Sequence, residues 1–274
     1  MLFSARTLCR ALACVATITP ALISGSPIPL DSADESPIIS PRGKGFGNGM
    51  WLRIMPLGAS ITWGLTSPDG NGYRKVLWDR LTAHGNQVNM VGSRRGGSME
   101  DNDVEGWPGY LIDQVRDVAV KSVPKYKPNV ILLNVGTNDC SANTDIPNAG
   151  KRISTLIDDL YTGSPQVTVI LSTLLARTDA AAQWCVLDVN RQYRSVAAAQ
   201  RARGRHLVLV DMQPPAGPAA PSELVDGIHP TEAGYAKMAA IWYNGIAEAD
   251  REGLLRTKEP IPDMPNGVPA RGSY

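Results

Sequence analysis

The chain has 274 residues, of which 43% are apolar and 19% charged, with a formal net charge of +1 at pH 7. That length fits one large domain or two small ones, and the near-neutral balance removes the electrostatic case for nucleic acid or an anionic membrane. What remains is a globular chain suited to a small or neutral partner.

Residues 1–26, "MLFSARTLCRALACVATITPALISGS", place Arg6 and Arg10 ahead of an apolar stretch and end in small residues. This is the layout of a secretory signal. The stretch is too short to span a bilayer, and no later segment approaches about 18 consecutive apolar residues. The mature protein is therefore expected to be secreted, extracellular and soluble. Loss of the signal removes Cys9 and Cys14 and leaves Cys140 and Cys185. In an oxidising compartment an isolated pair reads as one disulfide, closing a loop of about 45 residues; two buried free thiols are the alternative. Two cysteines and three scattered histidines show no ligand spacing, so no metal site is expected.

Residues 27–49 are rich in Pro, Ser and Gly without periodicity, which predicts a flexible or loosely docked arm. From Trp51 a rhythm begins. Apolar, β-branched runs at 51–57, 88–92, 129–135, 166–172 and 206–211 read as buried strands. Between and after them, helices are predicted at about 70–84, 110–121, 146–162, 187–203 and 231–248. In "YLIDQVRDVAV", Leu111, Ile112, Val115 and Val118 share one helical face. Strand and helix alternating through short connections predicts an α/β fold with a parallel sheet covered on both sides. Five units, where a closed barrel needs eight, give a three-layer α/β/α sandwich with a five-stranded, flavodoxin-like sheet. One domain over 50–254 accounts for them, with 255–274 an irregular Pro-rich tail.

Open α/β sheets bind ligands at the carboxyl ends of their strands. After the first predicted strand stand Gly58, Ala59 and Ser60; after the second, Gly92, and further on "EGWPGY" with Gly106 and Gly109. The third is followed by Gly136, Thr137, Asn138 and Asp139, and a loop beyond the fifth carries "VDGIHP" with Asp226 and His229. Acyl transfer needs those groups. A serine hydroxyl is a weak nucleophile until imidazole takes its proton, and a carboxylate on the other ring nitrogen sets the tautomer. The oxyanion then needs N–H donors. Ser60, His229, Asp226 and Asn138 supply these parts, with Gly109 as a further backbone donor. Pro230 turns His229 away from helical geometry, and Thr231 suits the N-cap of the last helix. Taken singly, each piece has a plainer reading: Gly-Ala-Ser as a βα turn, Gly-Thr-Asn-Asp as loop composition. His84 and His206, at the end of a helix and the start of a strand, read as structural.

Taken together, "GASIT", "EGWPG", "GTND" and "DGIHP" resemble the four blocks of the SGNH hydrolase superfamily, the GDSL-type esterases and lipases, in its order over about residues 51–248. "RIMPLGASITWG" with "VEGWPGYLIDQV" further resembles the secreted carbohydrate esterase family 3, whose members deacetylate xylan. The resemblance implies Ser60 as nucleophile, Asp226 and His229 as acid and base, and an oxyanion hole from the Ser60 N–H, the Gly109 N–H and the Asn138 side chain. Gly106 and Gly92 are alternative matches for Gly109. The family usually has Asp before the serine, where this chain has Ala59.

The expected function is a secreted serine acetylesterase acting on an acetylated polysaccharide or oligosaccharide such as acetylated xylan. The connecting loops are short and polar, unlike an apolar lipase lid, and Trp63, Trp107 and Trp184 are candidate sugar contacts. A short-chain lipase or general carboxylesterase of the same superfamily is the alternative, and a non-catalytic carbohydrate-binding relative a third. The reading needs no cofactor, nucleic acid or membrane and treats the protein as a monomer.

Overall fold

The computed structural model describes residues 44–261. The expected signal at 1–26, most of the arm and residues 262–274 of the tail lie outside the described residues. Among the described residues, seven strands form one sheet: β1 Trp51–Gly58, β2 Gln87–Met90, β3 Arg94–Arg95, β4 Asp103–Gly106, β5 Val130–Asn134, β6 Thr168–Ser172 and β7 Leu207–Val210. The described residues also form seven α-helices: α1 Ser60–Trp63, α2 Tyr73–His84, α3 Ile112–Tyr126, α4 Thr137–Ala142, α5 Ala149–Gly163, α6 Ala180–Ala202 and α7 Glu232–Arg251.

The five predicted strands form the parallel core, in the order β2-β1-β5-β6-β7. The expected count of five is corrected to seven. β5 occupies one side of β1. On the other side β2 pairs with Trp51–Ile54, while β4 pairs with Leu57 and Gly58. β4 carries Asp103 and Glu105 and has no apolar run, and β3 is two residues long, so periodicity gives no sign of either.

Side chains alternate across β1 as the pleat requires. Met55 and Leu57 face α3, α5 and α6, in a layer with Val115, Ile153, Leu156 and Val189. Leu52 and Ile54 face α2 and α7, with Leu77, Leu81, Met238 and Trp242. Helix α6 begins at Ala180, seven residues before the predicted start, because the Asp179 carboxylate accepts the Ala182 N–H (2.8 Å) and caps it there.

The last part of the arm is docked rather than loose. Phe46 is buried against His84 and Tyr243, with ring centroids 4.2 and 5.2 Å away, and its N–H donates to the Asn86 side chain (2.9 Å). At the other end, Leu255 is buried on the same side of the sheet. Both carboxyl-end loops and helix starts are thus carried on a core that is apolar on each face.

Candidate active site

Gly58 closes β1, paired with Asn134 and Gly106. A methyl group there would stand 2.1 Å from the Asn134 carbonyl oxygen and 2.4 Å from Thr62 Oγ1. The glycine is needed for close approach of the neighbouring strand, more than for a special turn conformation. Ser60 then opens α1, so its N–H has no acceptor within that helix. Ala59 is buried, and its carbonyl accepts the Trp63 N–H (2.9 Å). Further bracing comes from Arg74, which is fully buried and donates to the carbonyls of Trp63 (3.0 Å), Gly70 (2.8 Å) and Gly96 (2.9 Å). Backbone and guanidinium hold the turn that begins at Ala59.

His229 arrives from the opposite side on the approach to α7, whose N-cap is Thr231 as predicted. Thr66 Oγ1 donates to the Pro230 carbonyl (2.9 Å), tying this loop to the one after α1. The imidazole Nε2 lies 2.8 Å from Ser60 Oγ, and Nδ1 lies 2.7 Å from Asp226 Oδ2. Asp226 Oδ1 accepts the N–H groups of Ile228 (3.0 Å) and His229 (2.8 Å). Burial pushes the Asp226 carboxyl up, but those donors and the His229 ring outweigh it and leave it below the usual carboxylate range. A charged Asp226 accepting from Nδ1–H leaves the Nε2 lone pair facing the hydroxyl, the arrangement in which imidazole can take its proton.

Of the three candidate glycines, Gly106 is paired inside the sheet and a Cβ on Gly92 would meet the Val104 backbone at 2.2 Å. Gly109 is exposed, with φ +85° and open space where a Cβ would point. One residue on, the Tyr110 carbonyl accepts the Asn138 side-chain amide (2.9 Å), which leaves the second amide proton of Asn138 for another acceptor. The neighbouring Asp139 is fully buried, accepting from the Ile112 N–H (3.1 Å) at the start of α3 and from Arg152 (2.6 Å). Burial raises its carboxyl above the usual range despite the Arg152 bond. The structure thus brings Ser60, His229 and Asp226 into one hydrogen-bonded line and ties Asn138 to the loop that holds Gly109.

The tryptophans divide. The Arg94 guanidinium carbon lies 4.3 Å from the Trp63 ring centroid and 4.6 Å from that of Trp107, and Trp107 also stacks on Tyr110 at 5.2 Å and 23°. The ring faces covered by these groups are closed to a sugar. Trp184 is 74% exposed. It sits in the first turns of α6 and not in a loop, next to the Cys140–Cys185 disulfide that joins α4 to α6. Residue reading missed Arg94, Arg74 and the Tyr110 carbonyl, and gave Asp139 a place but no role. Arginines in polar stretches carry no periodic signal, and a carbonyl is invisible in sequence.

Residues 57–237 match the model of the GDSL-like Lipase/Acylhydrolase family. A multidomain esterase of Ruminococcus flavefaciens is 28% identical over 81% of this chain, which spans about a third of that protein's length (31%). The family 3 carbohydrate esterase of Clostridium thermocellum superposes with a TM-score of 0.66 at 26% identity, covering 74% of this chain and 99% of that one. A carbohydrate esterase family 3 structure from Talaromyces cellulolyticus, at 20% identity and TM-score 0.64 over 73% and 99% of the two chains, shares the fold. The chain belongs to the GDSL-like lipase/acylhydrolase family and has the SGNH hydrolase fold.

Proposed function

We propose that the protein is a secreted serine carboxylic ester hydrolase that removes acetyl groups from a plant cell-wall polysaccharide such as acetylated xylan. The observation that carries the reading is the unbroken line from Ser60 Oγ through the His229 ring to Asp226, with gaps of 2.8 and 2.7 Å. Ser60 Oγ attacks the acetyl carbonyl carbon while His229 Nε2 takes the hydroxyl proton. The oxyanion is met by the Ser60 N–H, the Gly109 N–H and the free amide proton of Asn138. Collapse breaks the bond to the sugar oxygen, which receives the proton from His229 and leaves as a hydroxyl. Water, deprotonated by His229, then releases acetate from the acetyl-Ser60 intermediate. The chemistry needs no cofactor.

The substrate assignment draws support from the likeness to the Clostridium thermocellum carbohydrate esterase, which extends over 99% of that chain. Trp184, with its open indole, offers a stacking surface for a sugar ring. Acetate release from acetylated xylan by the purified mature chain, with Ser60→Ala alongside, tests the reading. Release by the parent and loss in the variant is the expected result. If only soluble esters are cleaved, and butyrate or octanoate esters as fast as acetate, the assignment passes to a short-chain lipase or general carboxylesterase. The amino terminus of protein recovered from culture medium tests the signal; an uncut chain held inside the cell contradicts secretion.

A further inference from the structure

The Trp63–Arg94–Trp107–Tyr110 stack adds a side-chain connection between parts of the site that the backbone joins only through the Gly58–Gly106 pairing and the Trp107 N–H. Trp63 is the last residue of α1, the helix that Ser60 opens. Trp107 and Tyr110 flank Gly109, and the Tyr110 carbonyl holds Asn138 (2.9 Å). The Arg94 guanidinium carbon lies over both indoles, at 4.3 and 4.6 Å from their centroids. Its Nη1 donates sideways to the Gly106 carbonyl (2.9 Å), immediately before Trp107.

The rings are themselves anchored. Trp107 Nε1 donates to Glu105 (2.7 Å), and the same buried carboxylate accepts the N–H and the hydroxyl of Ser93 (both 2.8 Å), the residue before Arg94. Arg94 is therefore fixed at its fork by Gly106 and lies over two indoles, while Glu105 holds the residue before it. The 107–110 loop has few other ties: the Trp107 N–H to Gly58 O (3.0 Å) and a turn bond from the Tyr110 N–H to Trp107 O (3.1 Å). Pro108 and Gly109 are exposed.

We propose that Arg94 is a positioning residue for the oxyanion hole. By clamping Trp107 against Trp63 it sets the separation of Gly109 and Asn138 from Ser60 Oγ. It touches no reacting atom and acts through Trp107. A planar guanidinium can lie between two rings and still donate within its own plane, which an ammonium cannot do with the same fit. Donors aimed at a developing oxyanion lose effect with displacements of the order of 1 Å, so a relaxed clamp lowers turnover more than binding.

The inference rests on the serine mechanism proposed above and is tested on 4-nitrophenyl acetate, which needs no sugar site. Arg94→Ala is expected to lower kcat about 10- to 100-fold, with KM changed less than about 3-fold. Arg94→Lys should fall between it and the parent. Guanidinium chloride at tens of millimolar should fill the gap between the indoles and restore Arg94→Ala saturably. Equal sodium chloride should not, and the parent should show no gain. Ser60→Ala in the same assay separates the two claims, because full activity there overturns the serine mechanism itself. Loss in Ser60→Ala with Arg94→Ala within 3-fold of the parent overturns the clamp alone. So does an absence of guanidinium rescue. If Arg94→Ala does not fold, Arg94→Lys decides: its kcat must fall with its melting temperature and KM held, and parental kcat overturns the inference.

Discussion

Replacing Asn138 by Ala removes one of three candidate oxyanion donors and little else. Among the described residues the side chain makes one hydrogen bond, to the Tyr110 carbonyl at 2.9 Å, and both residues are partly exposed, so water can replace that bond. Stability should therefore change by no more than about 1 kcal/mol. Catalysis should suffer far more. A donor aimed at an oxyanion is worth about 2.7–4 kcal/mol in the transition state, a fall in kcat of about 10²–10³. The ground-state carbonyl carries much less charge, so KM should stay within a few-fold. Asn138→Asp keeps the shape but turns a carboxylate toward the developing negative charge, and should lose at least as much. The assay is steady-state hydrolysis of 4-nitrophenyl acetate, with melting temperature measured on the same samples. A kcat for Asn138→Ala within 3-fold of the parent would refute the oxyanion assignment, as would a loss confined to KM.

Asp226→Asn should lower kcat by about 10⁴: the Ile228 and His229 N–H groups hold an oxygen at the Oδ1 position, so the amide NH₂ must face Nδ1 and force the wrong tautomer on the ring. Activity within tenfold of the parent would contradict this. Because the Asp226 carboxyl is held below the usual range, its contribution to stability is present above the unfolded pKa and is lost only as pH falls through its lower folded value. The Cys140–Cys185 bridge, with 45 residues of separation, is worth about 4 kcal/mol on the chain-entropy model. Cys140→Ser/Cys185→Ser should accordingly lower the melting temperature by roughly 8–16 °C, and a change under about 2 °C would refute it. Asp101 is pushed up to about 6, by burial first and by Asp103 nearby, against the Met90 N–H and Trp78 bonds. The folded chain then holds a proton that the unfolded chain releases, so stability falls as pH rises from about 4 to 6. Asp101→Asn should flatten that slope by up to about 3 kcal/mol across the interval, read from urea melts at each pH; an unchanged slope would contradict the shift.

The parallel core was legible because β1, β5, β6 and β7 are mostly apolar and β2 overlaps the run at 88–92, and four short blocks near strand ends marked the candidate site. Legibility failed where pairing and not burial defines an element. β4 is a strand because Leu57 and Gly58 offer free edge beyond the end of β2, although its own residues include Asp103 and Glu105. The early start of α6 depends on one cap, Asp179, in a stretch whose alanines carry no periodic signal. At the site, sequence named the candidate groups Ser60, His229 and Asp226, which the structure brings together, but not those that hold them. Nothing in the sequence marks Arg74 or Arg94, yet one is fully buried among carbonyls and the other lies over two indoles. Trp63 and Trp107 read as sugar platforms, and the ring faces that meet Arg94 and Tyr110 serve packing instead.

The central claim is that Ser60 is the nucleophile and His229 its base. Labelling with an organophosphonate ester, followed by mass spectrometry of tryptic peptides, tests both at once. One adduct is expected, on Ser60, with loss of esterase activity in proportion to labelling, and labelling of His229→Ala slower by at least about 100-fold. An adduct on any other residue, or full activity in a chain modified at Ser60, would contradict it.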